Sequence, residues 1–300
     1  MTQTEKEKVV VVGGAGFIGS HIADALVLRG FDVHVIDDLS AGKKEYVNKE
    51  ATLHVVNIVN YRDIEPIING AHAVFLLAAL PRVQYSIEHP IETNTVNVGG
   101  ILNVLEAARA GGVKKVIYSA SSSAYGDQEK MPLTEDMPAD PVSPYGLQKY
   151  VGELYCRLFS TVYGLRTVSL RYFNVYGSRQ DPEGAYALVI GKFLKQKAEG
   201  KPMTITGDGT QTRDFTHVSD VVRANMLSME SDRVGAGEVI NIGGGKNYSI
   251  NEIAEIIGGP VEHIEPRIEP HDTLADISRA QELLGWEPKV SLLDGLKELQ

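Results

Sequence analysis

The chain has a single cysteine, Cys156, so no internal disulfide can form. A lone thiol in a helical stretch reads as a small buried hydrophobe. The scarcity of cysteine fits a reducing compartment, and the expected location is cytoplasmic. Basic residues are in deficit. The 29 Lys and Arg against 39 Asp and Glu leave a net charge of −10, which argues against a broad nucleic-acid surface. It leaves room for an anionic small molecule, because a few local arginines hold a phosphate. No apolar run is long enough to cross a bilayer. Met1–Lys8 is polar and charged, unlike a signal peptide. The chain also lacks internal repeats, low-complexity tracts and heptad runs, and no metal ligands are assigned.

What is present suits one large α/β domain, or a domain with a lobe: 300 residues, 43 % hydrophobic, enough for a sizeable core. Short apolar runs alternate with longer helical patterns as far as residue 172. The strand candidates are Val9–Val12, Val33–Ile36, Leu53–Val56, Ala73–Ala78, Val116–Ser119 and Thr167–Leu170. Between them lie helical stretches at Ile18–Leu28, Tyr61–Ile68, Thr93–Ala110 and Tyr145–Tyr163. This alternation predicts a Rossmann-type, doubly wound parallel sheet, with ligands beyond the strand C-termini. After residue 175 glycine, proline and charge become denser. Short strands at Met203–Thr206 and Val239–Ile242 alternate with helices near Val218–Ser228 and Ile250–Ile256. The expected division is residues 1–175 for the dinucleotide, with a chain return near 215–245, and mainly 176–300 as a smaller lobe over the substrate.

Directly after Val9–Val12 the chain reads Gly13-Gly14-Ala15-Gly16-Phe17-Ile18-Gly19, and Asp37-Asp38 follow at the end of the next strand. Gly13 allows a tight turn. Gly16 lets backbone N–H groups approach a pyrophosphate at a helix N-terminus, and Gly19 lets the helix pack closely on the strand. The acidic pair accepts hydrogen bonds from an adenosine ribose and repels a 2′-phosphate, so NAD is expected rather than NADP.

Further on, Tyr145-Gly146-Leu147-Gln148-Lys149 opens a helix after Ser143-Pro144. The i, i+4 spacing puts phenol and ammonium on one face. A nearby ammonium, and the positive nicotinamide ring, would lower the phenol's pKa toward neutrality and make it an acid/base. Ser119-Ala120-Ser121-Ser122-Ser123 ends the strand upstream and supplies a hydroxyl for the reacting oxygen.

With these residues the chain resembles the extended short-chain dehydrogenase/reductases, and within them the UDP-sugar 4-epimerases of the UDP-galactose/UDP-N-acetylglucosamine type. The resemblance also rests on Arg171-Tyr172-Phe173-Asn174-Val175-Tyr176-Gly177, on Gly207-Asp208-Gly209-Thr210-Gln211-Thr212-Arg213-Asp214-Phe215, and on Ala275-Asp276-Ile277-Ser278 with Leu284-Gly285-Trp286. It implies Ser121 as the catalytic serine, Tyr145 as acid/base, and Lys149 as the lysine on the nicotinamide ribose. It also implies cofactor contacts at Phe17, Ile18, Asp37, Asp38, Gly42, Ile58, Leu77, Ala78, Ala79, Pro81, Asn97, Ser119 and Tyr172. Asn57 stands where the family has an aspartate at the adenine edge, and its amide oxygen can still accept a hydrogen bond there. Substrate contacts are implied at Ser123, Asn174, Val189, Thr204, Arg213, Arg267 and Glu269. The segment Arg267-Ile268-Glu269-Pro270-His271-Asp272-Thr273 is one residue shorter than the family pattern. Counting back from Ala275-Asp276 puts Thr273 at the sugar-pocket wall, where a small residue admits an N-acetyl group. A homodimer built on Thr93–Ala110 and Tyr145–Tyr163 is also implied.

Ser121-Ser122-Ser123-Ala124-Tyr125 carries no acid, whereas relatives that dehydrate or decarboxylate the sugar have one there. Elimination needs a base for C5; epimerisation at C4 needs one acid/base and a hydride acceptor. The expected reaction is therefore C4 epimerisation of UDP-glucose/UDP-galactose or their N-acetyl forms. The alternatives are UDP-glucuronate, if Arg82 pairs with a C6 carboxylate, a nucleotide-sugar reductase, and a non-catalytic NAD-binding protein on the same fold.

Overall fold

Lys8–Val12 lies inside a seven-stranded sheet and pairs in parallel with Asp32–Asp37 on one side and Ala73–Leu76 on the other. The structure is a computed structural model and describes residues 6–181, 189–265 and 270–300. Across the sheet the order is Ala236–Ile242, Thr167–Tyr172, Lys115–Ser121, Ala73–Leu76, Lys8–Val12, Asp32–Asp37 and Thr52–Val55, and every pairing is parallel. Helices cover both faces, as a parallel sheet requires. Side chains alternate across a strand, so Val9 and Val11 enter one core while Val10 and Val12 enter the other. The chain winds outward from Lys8–Val12 to Thr52–Val55, then crosses back to Ala73–Leu76. That reversal opens a crevice at the carboxyl ends of Lys8–Val12 and Ala73–Leu76, where an open α/β sheet binds its ligand.

The expected strands and helices are present with ends moved by a few residues. Ala236–Ile242 pairs with Thr167–Tyr172, which returns the chain to the main sheet. The helix expected over Thr93–Ala110 begins at Pro90 and widens into a π-type turn at Thr95–Gly100 before continuing to Ala110. The helix Pro144–Tyr163 is fixed at both ends. The Ser143 hydroxyl accepts from the Gly146 N–H at 3.1 Å, Pro144 occupies the first turn, and Gly164 closes the helix at φ +70°.

Outside the sheet, Val189–Ala198 and Ile250–Ile257 pack with Met203–Thr206 around a separate core that includes Phe193, Ile205, Ile253 and Leu296. Thr212–Asp214 pairs antiparallel with Asn247–Ser249. Among the described residues no helix is long and apolar enough to cross a membrane, and no group of three or more His, Cys, Asp or Glu could hold a metal ion.

Candidate active site

A cavity of about 1360 Å³ runs from the glycine turn, past the ends of the central strands, to Thr204 and Thr273. That exceeds the 300–1,000 Å³ of an ordinary single-ligand pocket and suits two ligands end to end. Every described residue assigned from the sequence lines it except Asn97.

At one end the glycines divide their work. Gly13 has φ +86°, and a Cβ there would lie 2.6 Å from the Ala78 nitrogen. A Cβ on Gly19 would strike the carbonyl oxygen of Gly13. Gly19 thus packs the helix on the turn itself, where the sequence suggested the strand. Gly16 differs, because a Cβ there would meet only the Gly13 oxygen, at 3.4 Å. Gly16 caps the helix Phe17–Leu28 without a side-chain hydrogen bond, and the first turn has no acidic residue. The result is an open cradle with N–H groups and the positive end of the helix dipole facing the cavity, which fits a dinucleotide's diphosphate.

Asp37 accepts from the N–H groups of Ala15 and Leu39, each at 2.9 Å. Burial raises its carboxyl pKa against those bonds. Asp38 accepts from the Ser40 hydroxyl at 2.6 Å and from the Asn57 amide at 2.7 Å. The Asn57 oxygen, assigned to the adenine edge, accepts from the Val59 N–H at 2.9 Å. Asn97 does not line the cavity. It is fully buried, and its amide bonds both the N–H and the carbonyl of Leu80, at 2.7 and 3.1 Å, and the Gln148 oxygen at 2.8 Å. Both amide hydrogens are consumed, so Asn97 acts through the loop Leu77–Arg82, which it pins against the cavity. The π-type turn turns it toward that loop.

In the middle lie Ser121, Tyr145 and Lys149. The Ser121 oxygen accepts from the Ser123 hydroxyl at 2.7 Å and from the Ser123 N–H at 3.2 Å, leaving its own proton to donate. Lys149 is buried. Its Nζ donates to the Ser119 carbonyl at 2.8 Å and sits 5.9 Å from the centre of the Tyr145 ring. Burial lowers its pKa to about 8, against the pull of Glu153 and Cys156. The expected lowering of the Tyr145 pKa is overturned in the protein by itself. Burial pushes the phenol up to about 12, with Ser121 pulling it down and no contribution from Lys149. The local i, i+4 spacing is right, but desolvation outweighs it. Tyr172 shares its hydroxyl with Ser119 at 3.0 Å and with Asn225.

At the far end, Asn174 (φ +26°) donates to the Asp214 carbonyl at 2.9 Å and to the Thr273 hydroxyl at 3.4 Å. Arg213 Nη1 donates to the carbonyls of Thr212 and His271 at 2.8 and 2.9 Å, which fixes the guanidinium at the wall. Asp214 beneath is buried, and its carboxylate accepts from the backbone N–H of Gly244, Gly245 and Ala275, so it ties the glycine turn to the Thr273 segment. Arg82, at the wall, pairs with Asp181 at 3.4 Å, both side chains being partly exposed. Arg267 and Glu269 lie outside the described residues.

Sequence reasoning missed Lys43, Tyr46, Arg179 and Gln180, which also line the cavity. Arg179 bonds Asp24 at 2.8 Å, has φ +64° and crosses to the helix that follows the glycine turn. Its place directly after Gly177-Ser178 was the available signal.

A parallel sheet with a glycine cradle at its switch point and a Ser/Tyr/Lys set one strand away defines a nucleotide-dependent oxidoreductase-type site. Residues 9–243 match the NAD dependent epimerase/dehydratase family, and the chain belongs to it, with NAD as cofactor. It is 38 % identical to a putative UDP-glucose 4-epimerase of Methanocaldococcus jannaschii, over 97 % of this chain and 96 % of that one. The UDP-glucose 4-epimerase of Thermotoga maritima, solved with UDP-glucose, superposes with a TM-score of 0.92 at 41 % identity, covering 97 % of this chain and 96 % of that one. The UDP-N-acetylglucosamine 4-epimerase of Methanobrevibacter ruminantium M1, in complex with UDP-N-acetylmuramic acid, gives 0.92 at 38 % identity and covers 99 % of each chain.

Proposed function

We propose that the protein inverts C4 of a UDP-hexose, UDP-glucose/UDP-galactose or their N-acetyl forms, through a transient 4-keto sugar. The observation that carries this reading is the set Ser121, Tyr145 and Lys149 on one cavity, with no acid beside Ser121 in the run to Tyr125. NAD when bound supplies reversible uptake of the C4 hydride. Its positive ring would favour the Tyr145 phenolate, against the burial that holds the phenol at about 12. Tyr145 takes the C4 hydroxyl proton, Ser121 donates to that oxygen, and Lys149 holds the nicotinamide ribose. Arg213 and Asn174 hold the diphosphate while the sugar presents its other face. Tyr145 then returns the proton, and no net redox results.

Purified protein, with no cofactor added, is incubated with UDP-glucose, UDP-N-acetylglucosamine and UDP-glucuronate, and the C4 epimers are resolved by proton NMR. Conversion of a neutral hexose without NADH accumulation supports the reading. The Arg82–Asp181 pair at the wall predicts poor use of the glucuronate. Conversion of none of the three, with NAD supplied, defeats it.

Thr273 is buried at the pocket wall, with its hydroxyl fixed by the Asp214 N–H at 3.3 Å. Thr273→Tyr fills that space. The expected result is loss of UDP-N-acetylglucosamine conversion with UDP-glucose conversion kept, and equal loss of both would contradict the assignment of the wall.

The homodimer reading also gains support. Along the helix Pro144–Tyr163, Leu147, Leu154, Leu158 and Val162 recur at spacings of seven, four and four residues, which keeps them on one face, and are 51, 37, 46 and 60 % exposed. That stripe is costly to leave in water. Leu158→Glu is expected to convert a dimer to a monomer in sedimentation analysis. A wild-type monomer at micromolar concentration would refute the dimer.

A further inference from the structure

Behind the Ser/Tyr/Lys set lies a second, deeply buried set of charges that the mechanism above does not use. Arg171, on the strand Thr167–Tyr172, and Glu153, on the helix Pro144–Tyr163, have side chains 3 and 2 % exposed. They are joined bidentately, Nε to Oε1 at 2.8 Å and Nη2 to Oε2 at 2.7 Å. The guanidinium carbon sits 4.4 Å from the centre of the Tyr125 ring, and Nη1 has no hydrogen-bond partner. Tyr125 in turn donates to Asn241 at 2.7 Å. A pair so desolvated adds little net stability over a packed apolar pair, so its presence calls for another explanation.

Glu153 is one helical turn beyond Lys149 on the same face. Lys149 is itself buried, and the one hydrogen bond seen for its Nζ is to the Ser119 carbonyl. An ammonium in such a place needs a nearby negative charge to stay protonated. We propose that Glu153, anchored by Arg171, is a positioning residue that keeps Lys149 in its ammonium form against the cavity. Arg171 fixes the carboxylate with one bond to each oxygen, and Lys149 Nζ donates to Ser119 rather than to Glu153, so Glu153 acts on Lys149 through space. The other groups around Lys149 are Cys156 on its own helix and the rings of Tyr118, 5.2 Å from Nζ, and Tyr145. Arg157 and Arg171 are the remaining cations around Glu153. None of these is an anion at neutral pH, which leaves Glu153 as the negative charge that Lys149 has. The direction of the effect agrees: Glu153 raises the Lys149 pKa while burial lowers it.

The proposal rests on the reading that Lys149 holds the cofactor, not on the sugar chemistry, so NAD affinity tests it whether or not epimerisation is found. The dissociation constant for NAD is measured by calorimetry from pH 6 to 9.5 on wild type, Glu153→Gln, Glu153→Asp and the double variant Glu153→Leu/Arg171→Met. In wild type, affinity falls as pH rises through about 8, where Lys149 loses its proton. Removing the negative charge moves that fall to lower pH by about one unit or more, so affinity at pH 8 drops about fivefold or more and recovers at pH 6. Glu153→Asp keeps the wild-type profile. If Glu153→Gln does not fold with an unpaired guanidinium, the double variant decides, because it removes both charges together. A folded Glu153→Gln or double variant whose profile coincides with wild type overturns the proposal.

Discussion

Tyr145→Phe loses epimerase turnover by roughly 10²–10⁴-fold while its NAD content on purification stays that of wild type. The size of the loss follows from the site. Tyr145 is the acid/base proposed above, on the same cavity as Ser121, and the Ser121 oxygen is already accepting from Ser123. Ser121 can orient the sugar oxygen but has no base of its own to take its proton. Removing the phenolic oxygen therefore removes the only proton acceptor proposed for C4. The ring is kept, so the packing of the helix Pro144–Tyr163 and the Ser119–Lys149 hydrogen bond are not disturbed. Turnover is read from UDP-hexose conversion and cofactor from absorbance after denaturation. A phenylalanine variant within a few-fold of wild type would remove Tyr145 from the chemistry. One that comes off the column without NAD would make it a cofactor residue instead.

Gly19→Ala and Gly16→Ala are expected to fail in different ways. The added carbon on Gly19 runs into the Gly13 carbonyl and lies 2.9 Å from the Gly14 Cα, both backbone. Neither can step aside as a side chain would. The helix must lift off the turn, at about 1–3 kcal/mol, with a fall in Tm of several degrees and loss of the cradle. On Gly16 the same carbon fits the protein, its nearest neighbour being 3.4 Å away. It is expected to intrude instead on the space proposed for the diphosphate. The Gly16 variant should keep the stability of the cofactor-free protein and lose NAD affinity by about tenfold or more. Calorimetric melts of stripped protein, with and without NAD, separate the two. Equal destabilisation by both would mean that Gly16 is structural.

The physical basis of these outcomes also shows what could be read before folding. The central strands announced themselves because they are covered on both faces, so Val9–Val12 is a continuous apolar run rather than an alternating one. The glycine turn and Asp37-Asp38 were legible because their spacing is set by backbone geometry alone. Asn97 was not. It sits in a π-type turn that shifts side chains off the helical phase, and its partner Leu80 is 17 residues away. The Tyr145 pKa was misread for a related reason. Spacing reveals the ammonium four residues on, but burial comes from elements distant in sequence, and burial dominates. Glu153 could have been noticed one turn past Lys149; that Arg171 would hold it could not, because the pair spans helix and strand.

In the proposed reaction hydride leaves C4 and returns to C4 within one cavity. UDP-glucose deuterated at C4 is converted in ordinary water, and the product is analysed by NMR. The expected product is UDP-galactose with deuterium retained at C4 and no build-up of reduced cofactor. Product carrying protium at C4 would show exchange with solvent and contradict it.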